Sequence, residues 1–507
     1  MSITRAILSI DLGTTGCKAI LFSIDGIALS DGHAEIRTWY AKTLWAEQDA
    51  NDWWEAVRAA VATCMEVAPT HELLAIGLSS QRDTVVPIDR EGKALAPAML
   101  WMDRRSVHET ERLVEEFGRD FLIEKTGLIP DATFTATKLR WWRDHCPEML
   151  REAWKFLQPR DYIAWRLTGR VITDHSLAGR TMMYDIENYA WLDDVVRATG
   201  VSPDQLPEVV SSLDIVGNVT KTSAIWLGVP SGVPVVAGGG DRACEALGLG
   251  IGGNRVMEST GTTTNVTAVV EGLPDIRRGV AICSCHLVPG YWLIEQGMTT
   301  AGSIMRWFRD HVLTPDSTTL DYEMIDRIAS DAPVGAAGLL LLPFFMGARA
   351  TRWNSDAVGA LFGLTLHHDR GHIARAIMEG VAFEVRACLE VLQLLRGAQS
   401  FELWLTGGGA KAALWRQIKA DATGSRMAIP SVTEGACLGA MVAAGTGIGL
   451  FSNPIQTARD LNARQTVVEP DNSSYNAYTE LYGIYNDLYA HLTTSMSQMS
   501  QWKQRWL

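Results

Sequence analysis

Asp11 closes an apolar run, and Gly13-Thr14-Thr15 and Lys18 follow at once. An acid at a strand end can hold a divalent cation through its waters. A glycine turn can aim backbone N–H groups and threonine hydroxyls at one point, where a lysine adds positive charge. Taken together these groups suit a polyphosphate and its magnesium. Taken singly they are ordinary: Asp11 would cap its own turn, Lys18 would be a solvated lysine, and the turn would be a plain hairpin. The pattern gains weight because it returns half a chain later. Residues 255–268, centred on Thr260-Gly261-Thr262-Thr263, again read as apolar run, glycine-threonine turn and second apolar run. Two such turns could hold one nucleotide from both sides.

A third pattern, Gly238-Gly239-Gly240-Asp241, ends an apolar run in three glycines that deliver an acid. Phosphoryl transfer to an alcohol needs a proton acceptor beside the hydroxyl, and a carboxylate on such backbone could serve; an ordinary loop aspartate is the alternative. Leu405-Thr406-Gly407-Gly408-Gly409-Ala410 repeats the design and leads into a predicted helix over 412–423, whose start can approach a phosphate or a nucleoside face closely. Beyond the apolar strand 73–78 comes Ser79-Ser80-Gln81-Arg82-Asp83, and further on Trp101-Met102-Asp103-Arg104-Arg105. Polar residues just past a buried strand of an α/β sheet lie where ligands bind. A charged pair there can grip neighbouring hydroxyls while a tryptophan face lies on a carbon chain; a surface ion pair and a core aromatic are the plainer reading.

Other chemistries find no support. Gly248–Gly253 fits G-x-G-x-x-G, but a strand pattern follows it where a dinucleotide site needs a helix, and the sequence has no G-x-x-x-x-G-K-[ST], G-x-S-x-G or H-E-x-x-H. Cys283-Ser284-Cys285-His286 lacks the second ligand pair that a zinc site requires.

These residues need elements to position them. The sequence predicts strands alternating with helices: a hairpin about Asp25-Gly26, a helix over 49–66, a strand into the glycines at 238–240, a buried strand at 339–343, a helix over 372–395 and a terminal helix after Asn472. At 507 residues the chain exceeds one core, so two domains of about 250 residues are expected, with the boundary inside 247–254 and hence 1–250 and 251–507. A net charge of −13 argues against general binding to nucleic acid or to an anionic membrane. No run of eighteen apolar residues occurs, the N-terminus is unlike a signal peptide, and eight scattered cysteines fit reduced thiols, so a cytoplasmic protein is expected.

The motifs Asp11-Leu12-Gly13-Thr14-Thr15 with Lys18, Gly238-Gly239-Gly240-Asp241, Thr260-Gly261-Thr262-Thr263 and Leu405–Ala410 stand in the order of the FGGY carbohydrate kinases, which the chain resembles over nearly its whole length. Gly359–Leu364 followed by His372–Glu379 is similar to that family's C-terminal signature. The resemblance implies an α/β fold of two duplicated actin-like ATPase (ribonuclease H-like) domains, with a cleft between them that closes on ATP, magnesium and a sugar or polyol. It makes Asp241 the general base and gives Asp11 the magnesium. It assigns Gly13, Thr14, Thr15, Lys18, Gly261 and Thr262 to the nucleotide phosphates, Gly302 to a further nucleotide contact, and Gly408, Gly409 and Ala410 to the adenosine. Gln81, Arg82, Asp83, Trp101, Asp103, Asp241 and Arg242 become the substrate-binding set.

For the acceptor, Val235–Gly250 is similar to xylulokinases, whereas Arg82-Asp83 looks like the Arg-Glu pair of glycerol kinases, and Thr133 stands where those have tyrosine. The expectation is a kinase for a terminal hydroxyl of a small open-chain sugar, a pentulose such as xylulose. The alternatives are a glycerol, erythritol or signalling-diol kinase, or a non-catalytic actin-like nucleotide switch. Kinases of this resemblance are often homodimers.

Overall fold

The opening strand β1 (Thr4–Leu12) buries Ala6 through Ile10 without alternation, the mark of a strand covered on both faces. In this computed structural model, which describes residues 3–277, 279–313, 322–396 and 400–506, β1 lies in the middle of a six-stranded sheet. β2 (Gly16–Ser23) and β3 (Ala28–Glu35) continue from it as an antiparallel meander, with the second turn at Gly26. On the other side of β1 lie β4 (His71–Ser80), β5 (Ile215–Asn218) and β6 (Pro234–Gly240), giving the order β5-β6-β4-β1-β2-β3. β4 is parallel to β1 and to β6, and β5 is antiparallel to β6.

The same plan is built a second time. β7 (Arg255–Thr260) and β8 (Thr264–Glu271) form an antiparallel hairpin, flanked by β9 (Tyr291–Met298). β10 (Glu402–Thr406) and β11 (Arg426–Pro430) run parallel beyond β7, and β12 (Gln465–Val468) closes antiparallel, in the order β9-β8-β7-β10-β11-β12, with a seventh short strand, Ile282–Cys285, on the outer edge of β9. Parallel neighbours need crossovers, and helices supply them. Ala50–Glu66 joins the meander to β4, and Ala413–Thr423 joins β10 to β11.

The first of these helices shows how the sequence sets an element. Asp49 caps it by accepting from the Asn51 N–H, worth about 1 kcal/mol. Trp53, Trp54, Val57, Ala60, Val61 and Cys64, at helical spacing, bury one stripe in the core beneath β2 and β3.

The chain divides into two compact units. The first comprises Met1–Ile251, Val269–Leu293 and Glu434–Ala463; the second comprises Gly252–Ala268, Ile294–Thr433 and Arg464–Leu507. In the first unit the long segment between β4 and β5 adds a helical layer with its own core around Leu113, Phe134, Leu139, Trp142 and Phe156. The helix Gly435–Gly447 also packs there, with its backbone touching a neighbour directly: a Cβ on Gly439 would lie 1.8 Å from the carbonyl oxygen of Cys244. All eight cysteines are free. Among the described residues no helix is long and apolar enough to cross a membrane, and no group of three or more His, Cys, Asp or Glu side chains could hold a metal by itself.

Candidate active site

The C-terminal ends of β1, β4 and β6 lie side by side in the first unit, and the register sets Asp11 level with Ser79 and Ser79 level with Gly239. Lys18 is the cross-strand partner of Asp11 on β2. Ser79 Oγ donates to Asp11 Oδ1 at 2.7 Å. Burial pushes the Asp11 carboxyl up to about 6, and the negative charges of Asp241, Glu245 and Glu434 add to the rise against the Ser79 bond. Lys18 does not neutralise it: its ammonium bonds Glu434 Oε2 at 2.7 Å. Asp11 therefore holds a charge for which the fold provides little compensation, the state that a bound cation relieves.

Between these strands the turn Gly13-Thr14-Thr15-Gly16 closes with Gly13 N–H donating to Gly16 O at 2.9 Å. Thr15 is exposed; Thr14 is tied down. The Thr14 hydroxyl donates to Gln81 Oε1 at 3.2 Å and accepts from the Trp101 indole at 3.0 Å, and its carbonyl accepts from Gln48 Nε2 at 2.6 Å. Gln81 is buried, and its amide also reaches Gln48 and Thr84. Expected to touch substrate, it holds the turn in shape.

Asp241 is the first residue of the helix Asp241–Gly248, directly after β6. Gly238 makes that exit possible: its φ is +61°, and a Cβ would lie 1.7 Å from Leu78 O, where the β4–β6 register shifts. The next peptide is anchored from below. Gly240 N–H donates to Ser176 Oγ at 3.0 Å, Ser176 donates to Asp174, and Arg160 and Ser212 also bond Asp174. The Asp241 carboxylate, two-fifths exposed, meets Arg82 Nε at 3.2 Å and accepts from the Arg242 N–H at 2.7 Å. The Arg242 side chain turns to Glu245 at 2.7 Å.

The remaining substrate-set residues divide. Trp101 is partly exposed beside Thr14. Asp103 has a different task from the one expected: it is wholly buried, and its oxygens take the Ala46 N–H and the Arg105 guanidinium, which also bonds Glu47 and stacks on Trp45. Asp83 is buried too, in a two-pronged pair with Arg180 at 3.1 and 2.7 Å.

In the second unit Gly261 and Thr262 form the exposed tip between β7 and β8. Gly302 opens the helix Gly302–Phe308 against that tip: the N–H groups of Ala301 and Ser303 donate to Thr262 O, that of Gly302 donates to Gly261 O, and a Cβ on Gly302 would lie 2.2 Å from Gly261 O. Beneath the tip Lys419 Nζ donates to both oxygens of Glu258, at 2.8 and 2.9 Å, and to Thr260 Oγ1. Gly408 and Ala410 lie in the tight turn Gly408–Lys411 after β10, with Gly408 exposed and Gly409 buried. Glu434, Arg180 and the Asp174 anchor escaped the sequence reading, which places Ser79 at the strand end without a role. The signal for Ser79 is a polar residue ending an apolar strand; the others meet their partners only through the fold.

A duplicated sheet with matched hairpin turns, and an acid at the third strand end of the first copy, define a two-domain phosphotransferase of actin-like, ribonuclease H-like fold. The family models for the N-terminal and C-terminal domains of the FGGY carbohydrate kinases match residues 6–248 and 257–448. The chain is 31% identical to a xylulose kinase of Escherichia coli (strain K12), over 97% of this chain and all of that one. It is 32% identical to a glycerol kinase of Thermococcus onnurineus (strain NA1), over 88% and 89%. A solved xylulose kinase from Rhodospirillum rubrum superposes with a TM-score of 0.89 at 26% identity, covering 97% of this chain and 100% of that one. The chain belongs to the FGGY family of carbohydrate kinases, and as a kinase of that family it is an enzyme that uses ATP.

Proposed function

We propose that this kinase transfers the terminal phosphoryl group of ATP to a terminal hydroxyl of a small open-chain sugar or polyol, a pentulose such as xylulose first among them, and that residues 1–250 bind the acceptor while 251–507 bind the nucleotide. The observation that carries the reading is Asp241, presented at a helix start on anchored backbone with Arg82 beside it. As the acceptor oxygen attacks the γ-phosphorus, its proton passes to the Asp241 carboxylate and ADP leaves with the bond between the β–γ bridging oxygen and phosphorus broken. Gly13, Thr14, Thr15 and Lys18 join Gly261 and Thr262 in holding the phosphates, Gly302 makes a further nucleotide contact, Gly408, Gly409 and Ala410 flank the adenosine, and Arg82, Trp101 and Arg242 line the acceptor.

Asp11 fits a magnesium site: one under-compensated carboxylate, in no group of three or more His, Cys, Asp or Glu ligands among the described residues, suits an ion that keeps most of its waters and takes phosphate oxygens for the rest. Bound there, Mg2+ would offset the negative charge on the transferring phosphoryl group. Phosphate product measured on xylulose, ribulose, glycerol, erythritol and small signalling diols tests the acceptor. Xylulose is expected to give the highest kcat/KM; glycerol or erythritol in first place overturns the pentulose reading. Asp241→Ala is expected to keep ATP affinity and lose at least about 1,000-fold in kcat; more than a tenth of wild-type turnover overturns the proton-acceptor role.

A further inference from the structure

Asp83 has a backbone conformation that side chains rarely adopt, with φ at +62°. It follows Arg82, the residue that meets Asp241, and precedes Thr84, whose hydroxyl bonds Gln81. Two cations hold it. Arg180, stacked over the Phe134 ring at 5.1 Å, grips both carboxylate oxygens, and the ammonium of wholly buried Lys138 donates to the Asp83 carbonyl. The carboxylate faces Arg180 and is almost fully shielded from solvent, so it is poorly placed to grip a substrate hydroxyl.

We infer that Asp83 is a positioning residue, and that Arg180 and Lys138 clamp it in the left-handed conformation that directs the Arg82 guanidinium onto Asp241. The inference rests on the reading of Asp241 as proton acceptor. Arg82 has little freedom of its own. Its Cγ and Cδ run so close to Gly240 that a Cβ there would lie 2.6 to 2.7 Å from them, so the backbone dihedral at 83 decides where the guanidinium arrives. Burial draws the Lys138 ammonium down to about 7, against the pull of Asp83, Asp103 and Asp131 and with Arg104 adding to the fall.

Three substitutions, made together with Arg180→Met so that no guanidinium is left buried alone, separate a backbone role from a direct contact. Asp83→Gly and Asp83→Asn tolerate a positive φ, and Asp83→Ala does not. For the acceptor that the wild type phosphorylates, kcat/KM is expected to be about tenfold higher in the Gly and Asn variants than in the Ala variant, with KM for ATP alike in all three. Equal losses in the three would overturn the inference and return the carboxylate to the substrate. If the alanine variant does not fold, Lys138→Met reads the clamp from its other side: a five- to tenfold fall in acceptor kcat/KM at unchanged KM for ATP is expected, and no fall overturns it. A wild type inactive on every acceptor, or an active Asp241→Ala, would instead fell the functional reading.

Discussion

Asp11 shows a side chain whose stability and use oppose one another. Its carboxyl is held at about 6 in the folded chain against an ordinary value of 3.8, so the ionised form is disfavoured by folding. The resulting destabilisation is fully present well above the folded value, shrinks as pH falls through about 6, and vanishes only below about pH 3, where the group is protonated in both states. Asp11→Asn is therefore expected to raise Tm at pH 8, by about 1–2 °C for each kcal/mol regained, and to show no gain at about pH 3, while phosphoryl transfer is lost. Calorimetry across that range checks the sign; a gain independent of pH would mean that burial and the neighbouring acids are not its cause. The approximate position of such groups could be read from Asp11-Leu12-Gly13-Thr14-Thr15, because turn chemistry is local. Their pairing could not: Lys18 meets Glu434, and Asp83 meets Arg180, across long stretches of chain.

The elements were legible where one face was apolar at a regular period. The stripe from Trp53 to Cys64 foretold its helix, and the run into Gly238 foretold β6. What periodicity cannot report is which neighbour covers an element. The helix Gly435–Gly447 is apolar on every side and carries no directional mark, yet it crosses the helix Asp241–Gly248 at backbone contact, through Gly439 and Cys244. Gly439→Ala is expected to destabilise the protein by about 1–3 kcal/mol in urea unfolding, since the added methyl has no space. Gly483→Ala is the opposite case, in the helix Asn472–Trp506 with nothing near the new methyl, and should stabilise by about 0.5–1 kcal/mol. A failure of the two to move in opposite directions would remove backbone approach as the reason for Gly439.

The molecule as a whole is an internal duplication in which six strands of each sheet keep one order, the second sheet adding an edge strand, and that order, unlike the pairing of individual side chains, follows from the repeated hairpins and glycine exits. The partition of the chain is less simple than the repeat suggests, because Val269–Leu293 and Glu434–Ala463 pack with the first unit. Residues 1–293 produced alone are expected to lack a cooperative urea transition and to bind a hydrophobic dye, and adding 434–463 in trans is expected to restore the transition. A fully cooperative 1–293 fragment would show that the late segment is dispensable. The same threading governs biogenesis. A ribosome extends a polypeptide at about 5–20 residues per second, so the opening sheet must wait tens of seconds for the helix Gly435–Gly447 that packs on it. During translation the earliest-made half of this enzyme is thus the one that stays unsealed, and chaperone capture should fall on it.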